Sequence, residues 1–254
     1  MLDTFKPAFA RNFIAASSQY LERDEAVATA VPITMACWFN STLTATAQTL
    51  MGLFNSGDDG VYMRLKIGEV ASNVSAESRS SLAGPSQSNK GNYVANTWHH
   101  AAGVWATVSS RTAYLDGAAG TAETTSITPS GLNRTGIGRL GRPSALHYMS
   151  GMIAWPAFWS VALDASDIAK LACGASPLTV KPESLLQFWD WTGAETEFGI
   201  NANPWLINVN TTPVGGPGFL RTRIRRQAIA RPPAGAAPTS KPFYFRHYIA
   251  GRAA

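Results

Sequence analysis

The 254-residue chain is 45% apolar and only 15% charged, enough apolar content to bury a large core, and a single β-sandwich of this length is ordinary. Abundant Thr, Ser, Gly and Ala suit short strands joined by small-residue turns and argue against a helical protein. The net charge of +5 hides a division at Gly215: residues 1–215 carry 13 Lys and Arg against all 16 acids, a balance of −3, while residues 216–254 carry eight and no acid, a balance of +8. A nucleic-acid-binding reading would therefore rest on the tail alone. No apolar stretch approaches about 20 residues and no basic-then-apolar leader follows Met1, so neither a membrane span nor a secretory signal is expected.

In chain order, Pro7 and the Ala15-Ala16-Ser17-Ser18 run interrupt the Phe5, Phe9, Phe13 spacing and argue against a long first helix. Tyr20 to Glu22 and Ile33 to Phe39 read as strands, with Ile33, Met35, Cys37 and Phe39 on one face by the period of two. Thr49 to Asn55 and Val61 to Ile67 are apolar runs separated by Ser56-Gly57-Asp58-Asp59-Gly60, a composition that demands a turn, so they form a hairpin. Val70 to Asn92 is rich in Ser, Asn and Gly and is expected to hold one weak strand and a long, mobile connection. From Trp98 alternation returns, and Ala113 to Leu115 meets Asp116-Gly117, a strong hairpin signal. Ile137 to Leu140 and Met152 to Trp159 supply two further strands. Asp164 caps a helix whose inner face is Ile168, Leu171 and Ala172 and whose stop is Gly174. Leu185 to Trp191 reads as a closing strand, with Trp189 and Trp191 on one side and Phe188 and Asp190 on the other. Within the polar connection 193–210, Trp205 to Val209 suggests one accessory strand.

Cys37 lies in an apolar run and Cys173 at the end of the predicted helix. Two cysteines make no framework and neither has metal-ligand spacing, so they are read as buried free thiols rather than a disulfide, compatible with a reducing site of synthesis.

Four short signatures occur in a fixed order: Trp98-His99-His100, Tyr114-Leu115-Asp116-Gly117, Ile137-Gly138-Arg139, and Gly151-Met152-Ile153 leading to Leu163-Asp164-Ala165-Ser166-Asp167-Ile168. As a set they resemble the laminin G-like, concanavalin A-like jelly rolls, over about residues 13–191. The resemblance implies an all-β, two-sheet antiparallel jelly-roll sandwich with one short helix and an extended C-terminal arm. It prefers a first strand near Phe13 to Ala16 and a scaffold role for His100. The organisation it implies is an N-terminal extension (1–12), the sandwich (13–192), a connecting segment (193–215) and a basic, Pro-rich arm (216–254).

Fold alone does not choose among the lectins, glycanases, adhesion modules and virion proteins that share this sandwich. Glucanases of this architecture place alternating carboxylates on one strand, because retaining hydrolysis needs an acid and a nucleophile about 5 Å apart. The one close acidic repeat here, Glu195-Thr196-Glu197, lies outside the resemblance, so no catalytic residue is assigned and the chain is read as non-enzymatic. His99 and His100 are adjacent on a strand and point to opposite faces, so they do not converge on a metal. Asp58 and Asp59 are the candidates for a calcium ion, set against the reading that Asp-Asp-Gly simply forms the turn; no cofactor is expected otherwise. His147 and Tyr148, in a loop before Gly151, either stack on a sugar or cover the edge of the core. Trp105, Trp155 and Trp159 either line a glycan platform or fill the core.

The tail carries its own argument. Phe219 to Arg226 reads Phe-Leu-Arg-Thr-Arg-Ile-Arg-Arg, the sequence then turns Ala-, Pro- and Gly-rich, and Phe243-Tyr244-Phe245-Arg246-His247-Tyr248-Ile249 closes it. Such a composition cannot bury enough apolar surface to fold by itself. Two readings follow: the arm grips a partner through Arg221, Arg223, Arg225, Arg226, Phe243, Phe245, Tyr248 and Ile249, or it wraps back on its own sandwich. A jelly roll with such an arm is similar to bacteriophage structural proteins. That similarity implies a virion localisation after assembly in the host cytoplasm, a capsid decoration or cement role, a major capsid protein or copies of the chain itself as partner, and a homo-oligomer. The alternative is a carbohydrate-binding, lectin-like adhesion module facing a host-surface glycan. Neither a membrane nor a nucleic acid is an expected partner.

Overall fold

A computed structural model describes residues 7–81, 83–191, 197–198, 207–209 and 211–216. The described residues all belong to one compact unit. The arm residues singled out above, from Arg221 to Ile249, lie outside the described residues, as does Glu195.

Sixteen strands are described: β1 (Phe9–Phe13), β2 (Tyr20–Arg23), β3 (Ile33–Ser41), β4 (Gln48–Phe54), β5 (Tyr62–Ile67), β6 (Asn73–Ser80), β7 (Ala83–Gly91) and β8 (His99–Thr107) in the first half. After them come β9 (Ser110–Leu115), β10 (Ala118–Ala119), β11 (Arg134–Ile137), β12 (Gly151–Trp159), β13 (Leu185–Trp189), β14 (Glu197–Phe198), β15 (Ile207–Val209) and β16 (Thr212–Gly215). A nine-stranded sheet runs β10-β9-β8-β3-β12-β1-β16, with β13 also pairing β12 and β14 pairing β13; a seven-stranded sheet runs β15-β2-β11-β4-β5-β6-β7. All pairings are antiparallel. The jelly-roll sandwich expected from the sequence is the fold observed.

Strand alternation explains where the core sits. Ile33, Met35, Cys37 and Phe39 are buried between the sheets with Met63, Leu65 and Ile67 from β5 and Val74 and Ala76 from β6. Each large apolar side chain so buried contributes about 1.5–3 kcal/mol. Trp189 and Trp191 join that core while Phe188 packs on the other side of its sheet, as their alternation requires. At the β9–β10 hairpin Asp116 (φ 50°) and Gly117 (φ 83°) adopt the left-handed conformations that a two-residue turn demands.

The outer face of the nine-stranded sheet is covered on one part by helix α1 (Ala165–Ala172). Asp164 caps it, accepting from the Asp167 N–H at 2.9 Å, and Ile168 and Leu171 are buried against Ala102, Val104 and Trp159. Gly174 (φ 92°) follows its end, where the backbone must turn left-handed.

Four expectations need correction. The first strand is Phe9–Phe13, and Ala15–Ser17 is a single 3-10 turn, because Arg11 and Asn12 pair with both β12 and β16. Residues 70–92 form two full strands, β6 and β7, rather than one weak strand and a mobile connection. Their inward positions need only small groups such as Val74 and Ala76, so a scarcity of large apolar residues did not mean a scarcity of structure. Thr212–Gly215, in the expected connection, is a strand at the sheet edge. Both cysteines are free, but Cys173 is exposed and only Cys37 is buried. Burial pushes the Cys37 thiol far above its ordinary range, which leaves it inert. Among the described residues no helix is long and apolar enough to cross a membrane.

Candidate functional site

On β5 the residues facing away from the core are Tyr62, Arg64 and Lys66; on β6 they are Ser75 and Glu77. Cross-strand register sets Arg64 directly opposite Glu77. Arg64 Nε donates to Glu77 Oε2 at 2.5 Å, and Lys66 Nζ lies 3.1 Å from Glu77 Oε1. The side chains of Arg64, Lys66 and Glu77 are 2%, 0% and 2% exposed, so this is a buried ion network on the outer face of a sheet. Half-exposed Glu69 closes it, pairing with Lys66 and lying 3.6 Å from Arg64. Burial drives the Lys66 ammonium down to about 8, with Arg64 adding to the fall and Glu77 opposing it. Burial would raise Glu77, yet Arg64 and Lys66 hold its carboxyl below the ordinary range.

The covering element is residues 138–149 of the connection between β11 and β12. Its ends are pinned: the Met149 N–H donates to the Gly138 carbonyl at 2.8 Å and the Leu140 N–H to the Leu146 carbonyl at 2.9 Å. Leu140 and Leu146 pack on Phe54 and Tyr62 of the sheet below. His147, in the left-handed region at φ 56°, accepts from the Thr49 N–H through its carbonyl at 2.8 Å. Its Nδ1 lies 2.6 Å from an Arg64 terminal nitrogen. A guanidinium has donors only, so Nδ1 accepts, the ring is neutral, and the proton sits on Nε2. Burial and then Arg64 and Lys66 depress this histidine to about 4, with Glu77 opposing, so the tautomer persists through the neutral range.

Next to it the rings of Tyr148 and Tyr20 lie 6.4 Å apart, and the Arg139 guanidinium sits 3.5 Å over the Tyr20 ring. Arg139 Nε donates to Glu22 at 3.1 Å, and Arg134 reaches both Glu22 and Asp24. Tyr20, Tyr148 and His147 are each half-buried, so the loop's phenol and imidazole N–H meet the Tyr20 phenol of β2, with the Arg139 cation buried against that ring.

His147 and Tyr148 do occupy one loop, and their setting is the outer sheet face rather than the edge of the core. Asp58 and Asp59 lie at the tip of the β4–β5 hairpin and hold structure: the Asp58 carboxylate accepts from the Gly60 N–H at 2.6 Å and from the Ser81 hydroxyl. Asp59 binds the covering loop, accepting from the Ser144 N–H at 2.7 Å and, through its carbonyl, from Arg142 at 2.8 Å. These bonds hold both carboxyls below their ordinary range. Among the described residues no group of three metal-ligating side chains forms. Trp105 and Trp159 fill buried positions, their indole N–H groups donating to Ser78 and to the Val180 carbonyl, so of the three tryptophans only Trp155 reaches solvent. His99 and His100 do point apart. His99 Nε2 accepts from the Val94 N–H, which places its proton on Nδ1 against Asp116 at 2.6 Å; His100 packs on Trp38. Glu197 lies in a short strand and the Glu195 partner position is outside the described residues.

Arg64, Lys66, Glu77, Tyr20 and Arg139 were not identified from the sequence. The Met63-Arg64-Leu65-Lys66-Ile67 alternation already placed Arg64 and Lys66 on one face; the cross-strand position of Glu77 carried no local signal.

A family model described as the concanavalin A-like lectin/glucanases superfamily (Laminin_G_3) matches residues 15–169. No curated protein matches the chain. Among solved structures, a "putative carbohydrate binding protein" from Bacteroides ovatus ATCC 8483 is 19% identical with a TM-score of 0.59, covering 84% of this chain; the chain spans 61% of that protein's length. A heptameric SAP-like pentraxin from Limulus polyphemus is 11% identical, TM-score 0.54, over 84% of this chain and 93% of the other. The CBM40 of Ruminococcus gnavus IT-sialidase, bound to α2,3-sialyllactose, is 13% identical, TM-score 0.50, over 61% and 96% respectively. At these identities the likeness is one of fold.

Proposed function

The chain belongs to the concanavalin A-like lectin/glucanases superfamily, and on that premise we propose that its sandwich is a non-catalytic carbohydrate-binding module. The observation that carries the proposal is the loop 138–149 set over the buried Arg64–Glu77–Lys66 network, which fixes His147 as an Nε2–H donor beside Tyr148, Tyr20 and Arg139. Phenol rings take the apolar face of a sugar, while a fixed imidazole donor and a guanidinium take its oxygens. The carbohydrate-binding descriptions of the Bacteroides ovatus and Ruminococcus gnavus proteins support the same class of ligand. The carboxylates on this face are consumed by arginine and lysine, which supports binding rather than glycosidic hydrolysis.

Glycan-array binding tests it. Wild-type protein binds at least one glycan, His147→Ala and Tyr148→Ala lose that binding, and deletion of residues 216–254 preserves it. Binding unchanged in both loop variants would overturn the assignment. Attachment to a virion through Arg221 to Arg226 and Phe243 to Ile249 is a companion proposal that rests on the sequence of residues 216–254 alone; undiminished incorporation after their deletion would remove it.

A further inference from the structure

The other sheet carries a second set of groups that the loop site does not use. On the outer face of the nine-stranded sheet, beside the end of α1, a notch of about 10 Å³ is walled by Trp38, Trp155 and Trp159 and narrowed by Ala36 and Ala175. His100 lines it, 2% exposed, and its Nδ1 is buried with no hydrogen-bond partner among the described residues. A buried nitrogen left unpaired costs free energy that a ligand or a water would recover. Trp155 sits where the β3–β12 register shifts between Ala154 and Ala157, just before Pro156, at a left-handed φ of 50° that a tryptophan rarely adopts. That strained bulge turns a half-buried indole over the notch, against Phe188 on one flank. Trp98 and Met152 continue an apolar surface around Trp38.

We propose that this notch is a second sugar subsite, in which one hydroxyl of a neutral pyranose enters beside His100 Nδ1 while the ring of the sugar stacks on Trp155. The volume matches one water, and a hydroxyl is the sugar group of that size. A hydroxyl both donates and accepts, so it satisfies Nδ1 in either tautomer. Among the described residues no charged side chain lines the notch, which selects an uncharged sugar and separates this subsite from the arginine-rich loop on the other sheet. Burial holds the His100 imidazole down at about 4, so the ring remains neutral while it binds.

The site stands on its own geometry; only the naming of a sugar rests on the carbohydrate-binding reading. The experiment titrates the full-length protein with methyl β-D-glucoside, methyl β-D-galactoside and methyl α-D-mannoside at millimolar concentration, following the ¹⁵N signals of His100 and the tryptophan indoles. At least one glycoside shifts His100, and Ala175→Leu, which fills the notch, weakens that response about tenfold or more. Trp155→Gly, which relieves the strained φ as it removes the ring, does the same, while His147→Ala leaves it intact. No His100 response to any neutral glycoside, or a response unaltered in both notch variants, overturns the subsite. Loss of array binding in His147→Ala with no His100 response would sink the subsite and leave the loop site standing; a His100 response without His147-dependent array binding would do the reverse.

Discussion

The two sheets present contrasting outer faces. On the seven-stranded sheet, Arg64, Lys66 and Glu77 are buried charges locked to one another under a pinned loop, and the groups that reach solvent are His147, Tyr148 and Tyr20, with Arg139 buried against the Tyr20 ring. On the nine-stranded sheet a helix covers one part, and beside it three tryptophans and an unpaired His100 nitrogen surround a water-sized notch. One face is organised by charge neutralisation and the other by packing and backbone strain. On each face a histidine's role depends on what its buried nitrogen meets. His147 has Arg64 and is thereby a fixed donor, whereas His100 Nδ1 meets no partner among the described residues and is open to a hydrogen bond.

The largest effect should come from breaking the charge network. Glu77→Leu leaves buried Arg64 and Lys66 with half-exposed Glu69 as their remaining counter-charge, and chemical denaturation should show a loss of about 3–5 kcal/mol. A loss under about 1 kcal/mol, typical of exposed pairs, would show that these charges are solvated and the contrast false.

Acid should strike both faces through their histidines. His147 and His100 both have folded-state values near 4, below the ordinary histidine value of about 6.5. The unfolded chain therefore binds protons that the native protein refuses between about 6.5 and 4, and stability falls as pH is lowered through that window. Glu77, held below its ordinary range, adds its loss further down. His147→Gln should reduce the pH dependence of unfolding in the histidine window by about one proton. An unchanged slope would mean that His147 titrates normally and that Arg64 does not fix it. The smallest effect belongs to the helix side: Asp164→Ala removes the cap and should cost about 1 kcal/mol, with the loop site's ligand affinity unchanged.

The sandwich was legible because its signals are local. Ile33 to Phe39 alternates, Asp116-Gly117 marks a hairpin, and Asp164 with Ile168 and Leu171 announces a capped helix. Residues 70–92 were misread because Val74 and Ala76 bury little area and yet suffice opposite large neighbours such as Trp105. The candidate site was half legible. His147 and Tyr148 stood out as an aromatic pair in a loop, but what fixes them is Arg64, which is 83 residues away, and Glu77, placed by strand register. Long-range pairing of that kind leaves no trace in neighbouring residues. Trp155 illustrates the converse: its type was noticed, while the bulge that aims it depends on β3.

On this reading the sugar binds over loop 138–149, on the outer side of the seven-stranded sheet. Chemical-shift mapping of the full-length protein with its best array glycan tests this most directly. The His147 Nε2–H and the Tyr148 and Tyr20 ring signals should move together, with His147 remaining the Nε2–H tautomer. Shifts confined to other surfaces, with these signals unmoved at saturation, would contradict it.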